Sequence, residues 1–246
     1  MTSFSTATNL ALGLRSDPGV VPLLIGVIGH RDPLLSEIPK IVRRFEEFLE
    51  QIIDACPSTP IWMLNGLAEG MDSIAAEAFL KRARIAQAGG KMHGQSNATD
   101  KLIAVLPKNR EEYFRDFASE AARQKLQKLL HESDTILEPS NSHELRNGLD
   151  ATLDEPECYA IQGEFLARYS YILFAFYDGI DTARVGGTAH TLAIHMGDIH
   201  PLFKSTEEIL RSREEGEAII IDTPRMSNAS KERPKQERQQ LQRLST

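Results

Sequence analysis

At 246 residues, with 41% hydrophobic and 26% charged side chains, the chain can bury a core in one large domain with appendages. Its net charge of −7 conceals an asymmetry: residues 229–246 hold five Lys/Arg against Glu232 and Glu237, which leaves 23 basic against 33 acidic residues in the body, or −10, and speaks against nucleic acid as the main ligand. Cys56 and Cys158 stand far apart and outside any C-x-x-C arrangement, no run reaches about 18 apolar residues and the first residues lack a leader pattern, so disulfide scaffolds and membrane spans are disfavoured and the expected location is the cytoplasm.

Residues 1–20, rich in Ser, Thr and Gly, read as a flexible arm before a domain over 21–226. The run from Pro22 to Gly29 is continuously apolar, as a central parallel strand covered on both faces would be. Ser36 is placed to cap a helix whose Ile38, Ile41, Val42, Phe45, Phe48, Leu49, Ile52 and Ile53 recur at steps of three and four. A second strand, Ile61 to Leu64, leads through Gly66 into a helix over 69–86, and polar residues 89–100 read as a loop. The third strand, Lys101 to Leu106, stops at Pro107. Asn109 with Glu112 forms a capping-box signature for a long helix to about His131. Thr135 to Leu137 reads as a minor strand, and 139–153 as a loop. A helix then starts at Asp154 with Pro156 near its first position, followed by the apolar strand Tyr171 to Tyr177, a helix from Thr188 to about Met196 and a last strand, Ala218 to Ile221. Residues 227–246 read as a polar, disordered tail. This alternation predicts a Rossmann-like α/β fold, a mostly parallel sheet with helices on both faces.

Three strand-to-helix junctions carry glycines: Gly29-His30-Arg31-Asp32, Gly66-Leu67-Ala68-Glu69-Gly70 and Gly186-Gly187-Thr188. In a parallel sheet such junctions share the edge at the carboxyl ends of the strands, where ligands bind, and helix N-termini there attract anions. His30 and Arg31 can face a phosphate, or Arg31 can pair with Asp32. Glu69 and Asp72 can accept from ribose hydroxyls, or serve as first-turn acids of a helix. At Gly187, a phosphate held by the turn requires either a backbone conformation closed to other residues or room for a close oxygen. His190, His195 and His200 lack the i,i+4 spacing of zinc enzymes, so no metal is expected.

The succession GVIGHRD (26–32), GLAEGMDSIAAEA (66–78), IAVLPKNREEYFRDF (103–117), YSYILFAFYDG (169–179), GGTAH (186–190) and IDTPR (221–225) resembles the SLOG superfamily. That group unites the DNA-processing protein DprA, the LONELY GUY phosphoribohydrolases and nucleotide-sensor domains of bacterial defence systems. The defence-sensor branch looks nearest, because HRD, REEY…DF and TPR occur together there. The resemblance implies a cytoplasmic sensor that needs no cofactor and binds a nucleotide-derived signal, such as cyclic ADP-ribose or a cyclic oligonucleotide. It also implies homo-oligomers and an effector module that receives the signal. Along the quoted motifs the expected ligand contacts are Gly29, His30, Arg31, Gly66, Leu67, Glu69, Gly70, Asp72, Lys108, Asp178, Gly186, Gly187 and Thr188.

No residue is assigned as catalytic. The LONELY GUY pattern P-G-G-x-G-T-x-x-E ends on a glutamate, whereas three residues beyond Thr188 stands Thr191, and the sensor spelling G-G-T-A-E meets His190. An N-glycosidic hydrolase is the alternative, with Glu69 or Asp72 substituting for that carboxylate. A DprA-like single-stranded DNA binder, suggested by Gly66-x-Ala68-x-Gly70-x-Asp72, is the second alternative, and the acidic body opposes it.

Overall fold

In the computed structural model six apolar segments pair in parallel in the order β4-β3-β2-β1-β5-β6. The structure describes residues 21–88, 100–141, 153–181, 183–198 and 217–228. The expected arm, the loop over 89–99, most of the loop over 139–153, His200 and the tail from 229 lie outside the described residues. The strands are β1 (Leu23–Gly29), β2 (Ile61–Asn65), β3 (Lys101–Val105), β4 (Thr135–Leu137), β5 (Ile172–Tyr177) and β6 (Glu217–Asp222). The helices are α1 (Ile38–Ala55), α2 (Met71–Ala88), α3 (Arg110–Arg115), α4 (Glu120–Glu132), α5 (Glu155–Tyr169) and α6 (Thr188–His195). The chain has the Rossmann-like α/β fold that its alternation of elements predicts.

From β1 the chain steps outward through β2, β3 and β4, then returns past β1 to β5 and β6. With the right-handed crossovers such units take, that reversal sends the helices to opposite faces. On one face Phe45 and Leu49 of α1, Phe79 of α2 and Leu126 and Leu129 of α4 pack with Ile25, Val27, Met63 and Phe174. On the other, Phe165 and Leu166 of α5 and Leu192 of α6 pack with Ile28, Leu64, Val105 and Ala175. Cover on both sides is why β2 is buried at every position and reads as a run rather than an alternation. Phe45 anchors the first face, its ring edge-on to Phe174 at 5.0 Å and to Phe176 at 5.6 Å. Truncating such a ring to alanine costs about 3–5 kcal/mol.

Two helix starts and one helix length differ from the sequence expectation. Helix α1 begins at Ile38 with Glu37 as N-cap and Pro39 in the first turn; Ser36 does not cap it. Helix α2 starts at Met71 rather than Glu69, because the residues before it are held in a turn described below. The long helix expected from Asn109 is two. Asn109 does cap α3, accepting the Glu112 N–H at 3.0 Å, but Ser119 offers a fresh cap, accepting the Ala122 N–H at 3.1 Å. Between them Lys108 holds the Asp116 carboxylate at 2.9 Å. Helix α5 begins with a full capping box: the Glu157 N–H donates to Asp154 Oδ1 at 2.9 Å, and the Asp154 N–H to Glu157 Oε2 at 2.8 Å. A short turn over Met226–Asn228 takes in the first two residues of the expected tail and is tied down by Asp32, which accepts the Ser227 N–H at 3.2 Å.

Candidate functional site

The strand order reverses between β1 and β5, and outside their carboxyl ends lies a cleft of about 800 Å³. A crevice at this switch point is where open α/β sheets bind ligands. The two strand ends are tied together by His30 and Asp178: His30 Nε2 lies 3.0 Å from both the backbone N and Oδ1 of Asp178. Asp178 Oδ1 also accepts the Ile180 N–H at 3.0 Å. The carboxylate is 1% exposed, so Asp178 shapes the strand end, and His30 meets the cleft with its Nε2 already engaged.

The turn between β2 and α2 is built from inside. Leu67 holds a left-handed φ of 53°, a conformation that costs a non-glycine residue about 1–2 kcal/mol. Buried Asn65 offsets that cost: its Oδ1 accepts the Leu67 N–H at 2.6 Å and its Nδ2 donates to the Asp72 carbonyl at 2.9 Å. Tyr113 of α3 donates its hydroxyl to the Gly66 carbonyl at 3.0 Å. Gly70, with φ 95°, brings α2 so close that a Cβ there would stand 2.5 Å from the carbonyl oxygens of His30 and Arg31. Gly66, Leu67 and Gly70 therefore serve the turn and do not line the cleft, and Glu69 points to solvent.

Asp72, in the first turn of α2, does reach the cleft. Its side chain is 7% exposed and its Oδ1 has no hydrogen-bond partner. Burial pushes its carboxyl up to about 7, against the opposing pull of Arg31 and of the Ala68 and Gly29 amides. Gly29 leaves the space for it, since a Cβ there would lie 2.6 Å from the Met71 Cβ and 3.4 Å from Asp72 Oδ1.

Arg31 lies beside Asp72 but bonds elsewhere. One of its terminal nitrogens donates to the Tyr159 hydroxyl at 3.0 Å, which in turn donates to Asp116 Oδ2 at 2.6 Å. Lys108 closes the chain on Asp116 at 2.9 Å and reaches Glu155 at 3.2 Å. Burial and then the bond to Asp116 push the Tyr159 phenol up to about 12, so it stays protonated in this role. Burial works against the Arg31 charge, but Tyr159 foremost outweighs it and the guanidinium is held above its ordinary range. Lys108 is thus a support for Arg31, outside the cleft lining. Asp32, the alternative partner foreseen for Arg31, pairs instead with Arg225 at 2.7 Å, joining the HRD and TPR segments across 193 positions.

The third junction forms the opposite wall. Gly186 carries φ 72° and rests on α5, where a Cβ would meet the Tyr159 backbone carbon at 2.7 Å. Gly187 has an ordinary extended backbone at φ −82°, so the conformation closed to other residues belongs to its neighbour. As N-cap of α6, Gly187 supplies no side-chain cap, leaving the first amides, at Thr188 and Ala189, without intrahelical partners. Gly163 of α5 admits α6 closely, since a Cβ there would collide with Thr191.

The chain matches no protein-family model and no curated sequence.

Of the residues singled out in the sequence, Gly29, His30, Arg31, Asp72, Gly186, Gly187 and Thr188 line one cleft, while Gly66, Leu67, Glu69, Gly70, Lys108 and Asp178 lie outside its lining. Sequence reasoning missed Tyr159, Gln162, Arg184, Thr191 and Arg225, which also line it. Arg225 sits in a quoted motif and Arg184 two residues before the glycine pair, so both were within reach of a charge-based reading. The histidines have separate roles: His190 Nδ1 accepts the Gly186 N–H at 3.2 Å, and His195 sits between the carbonyls of Ala167 and Glu217 at 2.9 and 3.1 Å. Among the described residues no helix is long and apolar enough to cross a membrane.

Proposed function

We propose that this chain is a sensor domain that binds a nucleotide-derived, phosphate-bearing signal in the cleft between β1 and β5 and passes binding on to an effector. The observation that carries the reading is the gathering of Arg31, Arg184 and Arg225 with the uncapped N-terminus of α6 around one cleft of an otherwise acidic chain. Three guanidinium groups and free helix amides are donors suited to phosphate oxygens, each charge-assisted bond being worth about 1.5–3 kcal/mol. The cleft volume lies within the range of small-molecule sites and accommodates a nucleotide. The resemblance to defence-system sensors supports a cyclic ADP-ribose-type molecule or a cyclic oligonucleotide as the ligand and bacterial antiviral defence as the setting. It further proposes a cytoplasmic homo-oligomer whose effector is a separate module.

A thermal-shift screen with NAD, ADP-ribose, cyclic ADP-ribose and cyclic oligonucleotides tests this. A ligand at a hundred times its Kd stabilises the fold by about 2.7 kcal/mol. A melting temperature unmoved by any phosphate-bearing nucleotide contradicts the sensor reading. The mass of the protein in solution, with and without ligand, tests self-association.

Asp72 favours a second reading. A buried carboxyl that titrates near 7 in a cleft is the kind of group that protonates a leaving base during N-glycosidic cleavage. Release of free base or nicotinamide on incubation with a nucleoside monophosphate or NAD would make the protein a hydrolase.

A further inference from the structure

A purely structural acid in the position of Asp72 would pair with the cation beside it, yet Arg31 is turned away and held by the chain Tyr159, Asp116 and Lys108. The carboxyl has the Ala68 and Gly29 amides on it, but its Oδ1, in a residue that is 7% exposed and lines the cleft, is buried with no hydrogen-bond partner. A buried polar atom without a partner is costly, and it calls for an explanation in what the site binds. The surroundings define the missing partner. Arg31, Arg184 and Arg225 make the cleft hostile to a cationic ligand group, so the donor that meets Asp72 is neutral, and it lies close to an anion held by the arginines. Free sugar hydroxyls next to a phosphate satisfy both demands.

We infer that Asp72 is the specificity-determining acceptor of the cleft, taking hydrogen bonds from the free ribose hydroxyls of the bound nucleotide while Arg31, kept off it by Tyr159, holds the neighbouring phosphate. This rests on the anion-site reading above and adds to it a requirement for an unblocked ribose.

The inference carries a proton. The charged and titratable groups that face Asp72 are Arg31 from the segment after β1 and Tyr113 from α3; α5 presents Gln162 and β2 presents Asn65, neither of which titrates. Hydroxyl donors favour the carboxylate over the acid. The hydroxyls pull the carboxyl down from its value of about 7 while the neighbouring phosphate pushes it up, so it is the preference for ADP over its dideoxy form, which share the phosphate, that rises with pH between 6 and 8.

The test uses calorimetric titration of the full chain with inorganic pyrophosphate, ADP and 2′,3′-dideoxy-ADP, for the wild type, Asp72→Asn and Arg31→Ala. The wild type is expected to bind ADP about 10–100-fold more tightly than the dideoxy compound at pH 8, as a hydrogen bond to a charged group gives. Asp72→Asn is expected to erase that ratio and its pH dependence without weakening dideoxy-ADP, whereas Arg31→Ala weakens all three probes. Equal affinity of the wild type for ADP and its dideoxy form overturns the inference, as does an Asp72→Asn loss shared by both. Pyrophosphate binding with no gain for ADP refutes the ribose requirement and leaves the anion site standing; no binding of any probe removes both. Release of adenine from ADP that disappears in Asp72→Asn would make Asp72 a catalytic group and overturn its assignment as a reader.

Discussion

Asp72→Asn is expected to stabilise the protein above neutral pH, and the size of the gain follows from the carboxyl's environment. In the fold the group titrates at about 7, against an ordinary value of 3.8. Because the folded value is the higher one, the fold favours the protonated acid: its contribution is fully present below pH 4 and is lost as pH rises through 7. The full difference corresponds to about 4 kcal/mol, to be treated as an upper figure. Asparagine keeps the shape, can still accept from the Ala68 and Gly29 amides, and carries no charge to bury. Urea unfolding of both proteins at pH 4.5, 6 and 8 should show the smallest gap at the lowest pH, widening in favour of the variant to about 2–4 kcal/mol at pH 8. A gap of the same size at every pH would show that Asp72 is not held as a buried acid, and the argument for its functional role would lose its energetic basis. A stabilising substitution at a binding site is the usual sign that a residue is kept for function.

Arg31→Ala should weaken nucleotide binding by about 1.5–3 kcal/mol with little change in the unfolding midpoint, checked by calorimetry and urea titration. Gly186→Val should destabilise the fold by about 2 kcal/mol or more, since a side chain there meets the Tyr159 backbone in a left-handed conformation; an unchanged urea midpoint would contradict that packing. Gly187→Val keeps an allowed backbone, although its Cβ starts 3.0 Å from the Arg184 carbonyl, so a folded variant with lost binding is expected, and calorimetry with circular dichroism separates the two effects. Arg225→Ala should cost about 1 kcal/mol through its partly exposed pair with Asp32, less at high salt. Single-stranded DNA should not bind with better than micromolar affinity at physiological salt; fluorescence anisotropy showing a tight, salt-steep isotherm would favour the DNA-binding alternative.

The strands were legible because burial on both faces leaves continuous apolar runs such as residues 61–64 and 172–176, which need no knowledge of partners. The break between α3 and α4 was not, because it depends on Asp116 meeting Lys108 and on a tyrosine 43 positions away, and a capping signature marks where a helix begins rather than how far it runs. The glycine junctions do stand at the carboxyl edge of the sheet, beside the cleft, but the reasons for individual glycines differ. Gly70 and Gly186 answer to backbone geometry and the close approach of neighbouring chain, while Gly29 makes room beside Asp72. His30 does line the cleft, but its pairing with Asp178 was not legible, because sequence alone cannot show that the end of β5 lies next to the end of β1. Tyr159 was invisible for the same reason: its meaning lies in Arg31 on one side and Asp116 on the other.

The proposed binding of an anionic nucleotide at the switch point can be followed through the backbone amide resonances of the isotope-labelled protein during titration with ADP-ribose and cyclic ADP-ribose. Saturable shifts should concentrate on the amides from Gly186 to Thr191 and on those of Gly29 to Arg31, the two walls of the cleft. Shifts confined to the far surface of α4 around Gln124 and His131, or no saturable shift with either compound, would contradict it.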